Sequence, residues 1–496
     1  MKTIQHFIGG SLSLDGTTAY ADVHDPAHGS VAGRVALGDA GAVGQAVKVA
    51  LDAQAAWREE SLGTRQQVML NLIRLIEGSR DELASLVTAE HGKTLADARA
   101  EVNAGLDVAK FAAGVPHLLK GEFSENVSPG VDTYSIRQPL GVVAGITPFN
   151  FPVMVPMWMF PLAVACGNAF VLKPSEKDPS ASNRLAELAI EAGLPAGVLN
   201  VVHGGAPTVD ALLAHPDVSA VSFVGSTPVA RHVYETAAQH GKRVQALGGA
   251  KNHLVVLPDA DLDTAANALV SAAYGSAGER CMAISVAVAV GDVGDALRDR
   301  LVERIGGLST ADGRDEGTDM GPLITADHLR RVCGYVQAGA DAGADVVVDG
   351  RGVRVPGKEK GFFLAPTLLD HVRTNMSVYT DEIFGPVLVM LRVGSLEEAI
   401  ALINSSEYGN GVSIFTRDGV AARRFQHAIQ VGMVGLNVPI PVPIPYFPFG
   451  GWKQSLFGDL GQYGEDGVRF FTRRKVVTTR WAGSGSSVDM RFPASR

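Results

Sequence analysis

The sequence predicts an α/β protein built on parallel sheets, and three observations predict it. From residue 142 onward, short apolar runs alternate with amphipathic helical stretches. Each pair of runs is separated by one helix, long enough for a βαβ crossover. A second alternating block of the same kind runs from 254 to about 437.

Taken in order, the first 120 residues read as helices. Asp39 is placed to cap a helix whose stripe is Val43, Ala46, Val47, Ala50, Ala53 and Trp57, a 3.6-residue period. Thr64 and Asp81 are expected to cap the next two, and Gly92 to end the last. Residues 131–138 should be extended, bounded by Pro129-Gly130 and Pro139. Strands follow at 142–146, 170–173, 199–202, 220–224 and 243–247, with helices at 153–166, 180–192, 207–214 and 227–240. In such sheets ligands sit beyond the carboxyl ends of the strands, which directs attention to the turns after Ile146, Leu172 and Val224. The second block offers strands near 254–257, 284–290, 387–391, 411–415 and 432–436. Residues 438–458 are proline-rich and expected to be neither helix nor sheet. A last extended run, 470–479, precedes a Gly/Ser stretch at 483–487 expected to be mobile.

Composition bounds the function. The 496 residues are enough for about three domain-sized units. A formal charge of −9 without a Lys/Arg run argues against a nucleic-acid surface. Three scattered cysteines, Cys166, Cys281 and Cys333, form neither a disulfide framework nor a metal cage, and point to a reducing, cytoplasmic setting. The opening MKTIQHFIGG lacks a secretory apolar core. Between Phe149 and Cys166 only Asn150 is polar, close to the length of a bilayer span. Pro152, Pro156 and Pro161 make a buried helix the better reading, and no membrane is expected.

Five segments fall after strands or in loops: GITPFNFP (145–152), VLKPSEK (171–177), FVGST (223–227), GERCMA (278–283) and EIFGP (382–386). Read alone, Cys281 would be a small buried hydrophobe, Asn150 a helix cap, and Lys173 with Glu176 a surface ion pair. Together the segments, in order and in spacing, resemble the aldehyde dehydrogenase superfamily over about residues 5–480. Within it, AAGVPHLLKGE (112–122), GAKNH (249–253), ERCMAIS (279–285) and the run 437–459 are similar to methylmalonate-semialdehyde dehydrogenase, the coenzyme A-acylating branch.

The resemblance implies a Rossmann-type NAD domain (1–122 and 141–250), an α/β catalytic domain (251–437), a β oligomerisation arm (123–140 and 470–482) and a flexible tail (483–496). It implies a homodimer or homotetramer. Cys281 would be the nucleophile: thiolate adds to a carbonyl, tolerates the alkoxide during hydride loss and then leaves, and Arg280 beside it would favour the charged form. Asn150 and the Cys281 N–H would form the oxyanion hole. Glu176 would accept from the adenosine ribose, with Lys173 and more weakly Lys177 beside it. Gly225 and Ser226 would meet the pyrophosphate at a helix start. Thr147, Phe149, Gly248 and Glu382 would complete the cofactor site, and no metal is implied.

One position carries an absence. Hydrolytic members read E-L-G-G after the fifth strand, the Glu activating water. Here the chain reads Gln245-Ala246-Leu247-Gly248-Gly249, which puts Ala246 at the Glu position. Alanine takes no proton, so the thioester is expected to leave to a thiol, coenzyme A. The implied reaction turns methylmalonate or malonate semialdehyde into propionyl- or acetyl-CoA with loss of carbon dioxide. The substrate carboxylate would meet Arg280, while the branch's second arginine aligns with Ala104. The alternatives are a hydrolytic aldehyde dehydrogenase and a non-catalytic NAD-binding protein.

Overall fold

In the computed structural model, residues 2–481 are described, so the stretch expected to form a mobile tail at 483–496 lies outside the described residues. The first 38 residues are strands rather than helices. Thr17–Asp25 and Ser30–Gly38 form an antiparallel ribbon joined by Lys2–Ile4, while His6–Ile8 and Ser11–Ser13 reach the edge of the large sheet. The helical expectation holds only from Ala40: the Asp39 carboxylate accepts from the amides of Gly41 and Ala42, and Gly92 ends Arg80–His91 at φ 95°. Ser61, not Thr64, caps Leu62–Gly78. Ser79 precedes Arg80–His91, so Asp81 lies in the first turn, where its charge suits the helix dipole.

Among the described residues the large sheet runs Leu456–Phe457, Arg243–Leu247, Val218–Val224, Val142–Ile146, Ala169–Lys173, Leu199–Val201, His6–Ile8, Ser11–Ser13. The five strands expected from the sequence are its parallel centre. In chain order they stand 5-4-1-2-3, so the direction of winding reverses between Val142–Ile146 and Val218–Val224. That reversal leaves a crevice at the strands' carboxyl ends. One face is covered by Ala40–Trp57, Ala206–Ala214 and Thr227–Gln239. The other is covered by Leu62–Gly78, Leu95–Ala113, Met154–Ala165 and Ser180–Glu191. Met154–Ala165 is buried along its length despite Pro161, and no described helix is long and apolar enough to cross a membrane.

The second sheet runs Asp345–Val348, Thr367–Asp370, Val387–Val393, Ile284–Val290, Asn252–Val256, Gly411–Phe415, Met433–Leu436. It has its own core. The sequence reading missed its first two strands, which are short and set among loops. It also denied sheet structure to 438–458, yet Trp452–Lys453 and Leu456–Phe457 each pair, the latter covering the Arg243–Leu247 edge. A third sheet joins distant segments: Thr472–Arg480 pairs antiparallel with Val131–Pro139, from Thr472↔Pro139 to Arg480↔Val131, and Phe123–Ser128 adds a third strand. Phe470 still belongs to the helix Gly464–Phe470, so the extended run begins two residues later than expected.

Candidate active site

The crevice at the winding reversal holds a cleft of about 410 Å³. Thr147 and Phe149 reach it from the turn after Val142–Ile146. Lys173, Glu176 and Lys177 come from the turn after Ala169–Lys173, and Gly225 and Ser226 from the turn after Val218–Val224. The Lys173 ammonium pairs with Glu176 at 3.3 Å. Burial pushes the Glu176 carboxyl up, but Lys173, Lys177 and an amide outweigh it, so it stays charged below its ordinary range. Ser226 opens the thirteen-residue helix Thr227–Gln239 and its hydroxyl caps nothing. The Thr147 hydroxyl is buried without a hydrogen-bond partner. A helix start, a half-buried, charged carboxylate and an unsatisfied hydroxyl around one cleft suit a dinucleotide.

The cleft leads to a smaller cavity of about 190 Å³ where Asn150, Cys281, Gly248 and Glu382 meet Phe149, Lys177, Gly225 and Ser226. The structure thus brings together every cofactor and catalytic residue named from the sequence. Lys177 turns its ammonium over the Phe149 ring, 4.5 Å from the centroid. The Glu382 carboxylate accepts from the Ala250 amide at 2.8 Å, and burial raises its pKa to about 7. His328, Arg331 and Phe384 also line the cavity. The sequence reading missed His328 and Arg331 because they sit in an ordinary amphipathic helix, and it quoted Phe384 within EIFGP without giving it a role.

Cys281 follows three residues in left-handed backbone, Ser276, Ala277 and Gly278, at φ 54°, 54° and 69°. Such strain at two residues other than glycine persists only when the surroundings impose it. At Gly278 a Cβ would lie 2.2 Å from the Gly385 carbonyl, so only glycine fits. The thiol is half-buried, and burial with the Glu382 charge pushes it up to about 12, against the pull of the Cys281 and Met282 amides and, least, of Arg280. The expected help from Arg280 is therefore slight. Its guanidinium donates to Asp97 at 2.7 Å, in a separate pocket of about 590 Å³. The arginine's charge is thus already shared, although the residue also lines a small cavity with Cys281 and Glu382.

Asn150 is held from behind. The buried Lys93 ammonium donates to the Asn150 main-chain carbonyl at 2.6 Å and to Glu101 at 2.8 Å. Glu101 in turn accepts from the amides of Val153 and Met154. An ion pair with 0% side-chain exposure on both sides thus fixes the loop that carries Asn150. The sequence held a signal: Glu101 falls on the apolar face of its helix with Ala98, Val102, Gly105 and Leu106. Glu279, the neighbour but one of Cys281, does not line the cavity. It is fully buried beside His91 and His328, and burial raises its pKa to about 8.

The position of the absent carboxylate lies near the end of the strand Arg243–Leu247. Ala246 pairs with Phe223 and packs in the core on the far face of the sheet. Leu247, opposite Val224, points to the other face and joins the cluster against which Cys281 packs. Side chains alternate across a strand, so the two face opposite cores, and Leu247 is the leucine of the E-L-G-G pattern while Ala246 holds its glutamate position. Neither residue accepts a proton, and the absence stands.

Known proteins match along the whole chain. The aldehyde dehydrogenase family matches residues 14–477. The chain is 55% identical to the malonate-semialdehyde dehydrogenase of Pseudomonas aeruginosa, covering 99% of both. It is 50% identical to the mitochondrial, acylating methylmalonate-semialdehyde dehydrogenase of Arabidopsis thaliana, over 99% of this chain and 81% of that one. The solved methylmalonate-semialdehyde dehydrogenase of Oceanimonas doudoroffii matches with a TM-score of 0.96 at 53% identity, covering 98% of this chain and 99% of that one. A Sinorhizobium meliloti protein solved with NAD gives 0.97 at 52%, with the same coverage.

Proposed function

The chain belongs to the aldehyde dehydrogenase family, and from that premise we propose that it oxidises malonate and methylmalonate semialdehyde with NAD and passes the acyl group from Cys281 to coenzyme A. The observation that carries the acyl transfer is the pairing of an intact nucleophile and amide, Cys281 and Asn150, with an alanine, Ala246, at the position of the hydrolytic members' water-activating glutamate.

The Cys281 sulfur adds to the aldehyde carbonyl, and the new alkoxide meets the Asn150 carboxamide and the Cys281 N–H. Lys93 and Glu101 keep the Asn150 loop from shifting as charge develops. When bound, NAD supplies the hydride acceptor, with Glu176 and Lys173 at the adenosine ribose, Gly225 and Ser226 at the pyrophosphate, and Thr147, Phe149, Lys177, Gly248 and Glu382 toward the nicotinamide end. Hydride loss leaves a thioester on Cys281. Its carbonyl is an electron sink β to the substrate carboxylate, so carbon dioxide can depart and the carbanion equivalent takes a proton. The coenzyme A thiol, partly ionised near neutrality, then attacks the thioester and Cys281 leaves, a step that needs less help than hydrolysis.

The carboxylate of the 3-oxo acid is assigned to Arg280, in competition with Asp97. The three-stranded sheet of 123–139 and 472–480 is assigned to assembly as a homodimer or homotetramer, and the three unpaired cysteines suit a reducing cytoplasm. The test is NADH formation from each semialdehyde with and without coenzyme A. Strong dependence on the thiol is expected, and equal rates without it would leave a hydrolytic dehydrogenase.

A further inference from the structure

The motifs GAKNH and ERCMAIS meet in space at a contact the reaction scheme leaves unused. Asn252, at the start of the strand Asn252–Val256, donates its carboxamide to the main-chain carbonyls of Cys281 at 2.8 Å and Ala283 at 2.9 Å. Its own oxygen accepts from the Gly411 amide at 3.0 Å. Asn410, on the neighbouring strand's approach, donates to the same Cys281 carbonyl at 3.0 Å and touches the Met282 sulfur at 3.0 Å. Both asparagines are buried, at 2% and 6% exposure.

We infer that Asn252 and Asn410 are positioning residues that act through the Cys281 carbonyl to aim the Met282 N–H at the nucleophilic sulfur. A carbonyl oxygen has two lone pairs, and two amide donors, one at the start of a strand and one in the bend before its neighbour, occupy both. The peptide bond that follows is planar and trans, so its carbonyl and N–H point in opposite directions. Pulling the carbonyl toward the second sheet therefore turns the Met282 N–H back toward the thiol, and the Cys281 and Met282 amides are the donors that favour thiolate there. Buried donors held by a rigid scaffold need no reorganisation as charge forms. The strained left-handed turn just before Cys281 raises the need for such an anchor, since a free segment would relax out of it.

The test uses the full-length enzyme with Asn410→Leu and Asn252→Asp. Asn410→Leu removes a donor to Cys281. Asn252→Asp keeps the acceptor for Gly411 and loses both donor bonds. Iodoacetamide alkylation of Cys281 is followed from pH 7 to 10, with kcat and KM for NAD measured alongside. The other polar groups facing the sulfur, Glu382, Arg280 and the Tyr463 phenol, are unchanged. Each variant should shift the log-rate line to lower rates by about threefold to tenfold at every pH. Each should lower kcat with little change in KM for NAD, and Asn410→Gln should restore part of the loss. A folded Asn410→Leu enzyme with an unmoved alkylation line and unchanged kcat would overturn the inference. If Asn252→Asp fails to fold, the Asn410 variants decide alone.

Discussion

Leu247 stands opposite Val224 in the parallel ladder, on the sheet face against which Cys281 packs, while Ala246 beside it faces the opposite core. Ala246→Glu restores the glutamate of the hydrolytic pattern and is expected to raise the coenzyme A-independent rate, at a cost in stability because Ala246 is fully buried. Leu247→Glu should instead bury a carboxylate among apolar side chains and destabilise the fold by several kcal/mol without restoring hydrolysis. Comparing thiol-free turnover and melting temperature for the two variants checks this. Rescue of hydrolysis by Leu247→Glu alone would reverse the assignment.

The thiol's reactivity should follow its burial. With the Cys281 pKa pushed up to about 12, the thiolate fraction rises tenfold per pH unit through the neutral range. Alkylation of the enzyme without NAD should rise by about tenfold per unit from pH 7 to 10 without levelling. A plateau below pH 9 would mean the sulfur is better stabilised than its surroundings indicate. Cys281→Ala should remove NADH formation, to below about a hundredth of wild type, and spare NAD affinity.

Glu176 should select NAD over NADP. Its carboxylate is held charged by Lys173, and a ribose 2′-phosphate would meet it with nearly two charges of the same sign. Glu176→Gln is expected to raise kcat/KM for NADP by about tenfold while lowering that for NAD. Equal use of both cofactors by the wild type would place Glu176 away from the ribose.

Arg280 is paired with Asp97 at 2.7 Å, so as the proposed contact of the substrate carboxylate it has to compete with that ion pair. Arg280→Leu should raise KM for malonate semialdehyde by about tenfold and leave propanal nearly unchanged. Asp97→Asn, which frees the guanidinium, should lower KM for the semialdehyde. If neither change separates the two aldehydes, the arginine belongs to the pocket wall and the substrate has no carboxylate contact there.

The alternating blocks were legible because each strand–helix pair carries its own period, and the turns they end in hold Thr147, Lys173, Glu176, Gly225 and Ser226. The first 38 residues were not, since their strands are largely exposed and lack an apolar alternation. Cys281, Asn150 and Glu382 needed the superfamily resemblance, because only the fold brings residues so far apart into one cavity. Lys93, Asn252 and Asn410 act through main-chain carbonyls, and a sequence does not show which carbonyl a buried donor will find.

The acyl transfer is tested most directly by the fate of the acyl-enzyme in a single turnover. Enzyme with NAD is mixed with malonate semialdehyde, NADH is followed, and products are identified by mass spectrometry with and without coenzyme A. A burst of about one NADH per active site is predicted, followed by slow release without the thiol and rapid formation of acetyl-CoA with it. Rapid release of free acid without coenzyme A, at the rate seen with it, would contradict the account.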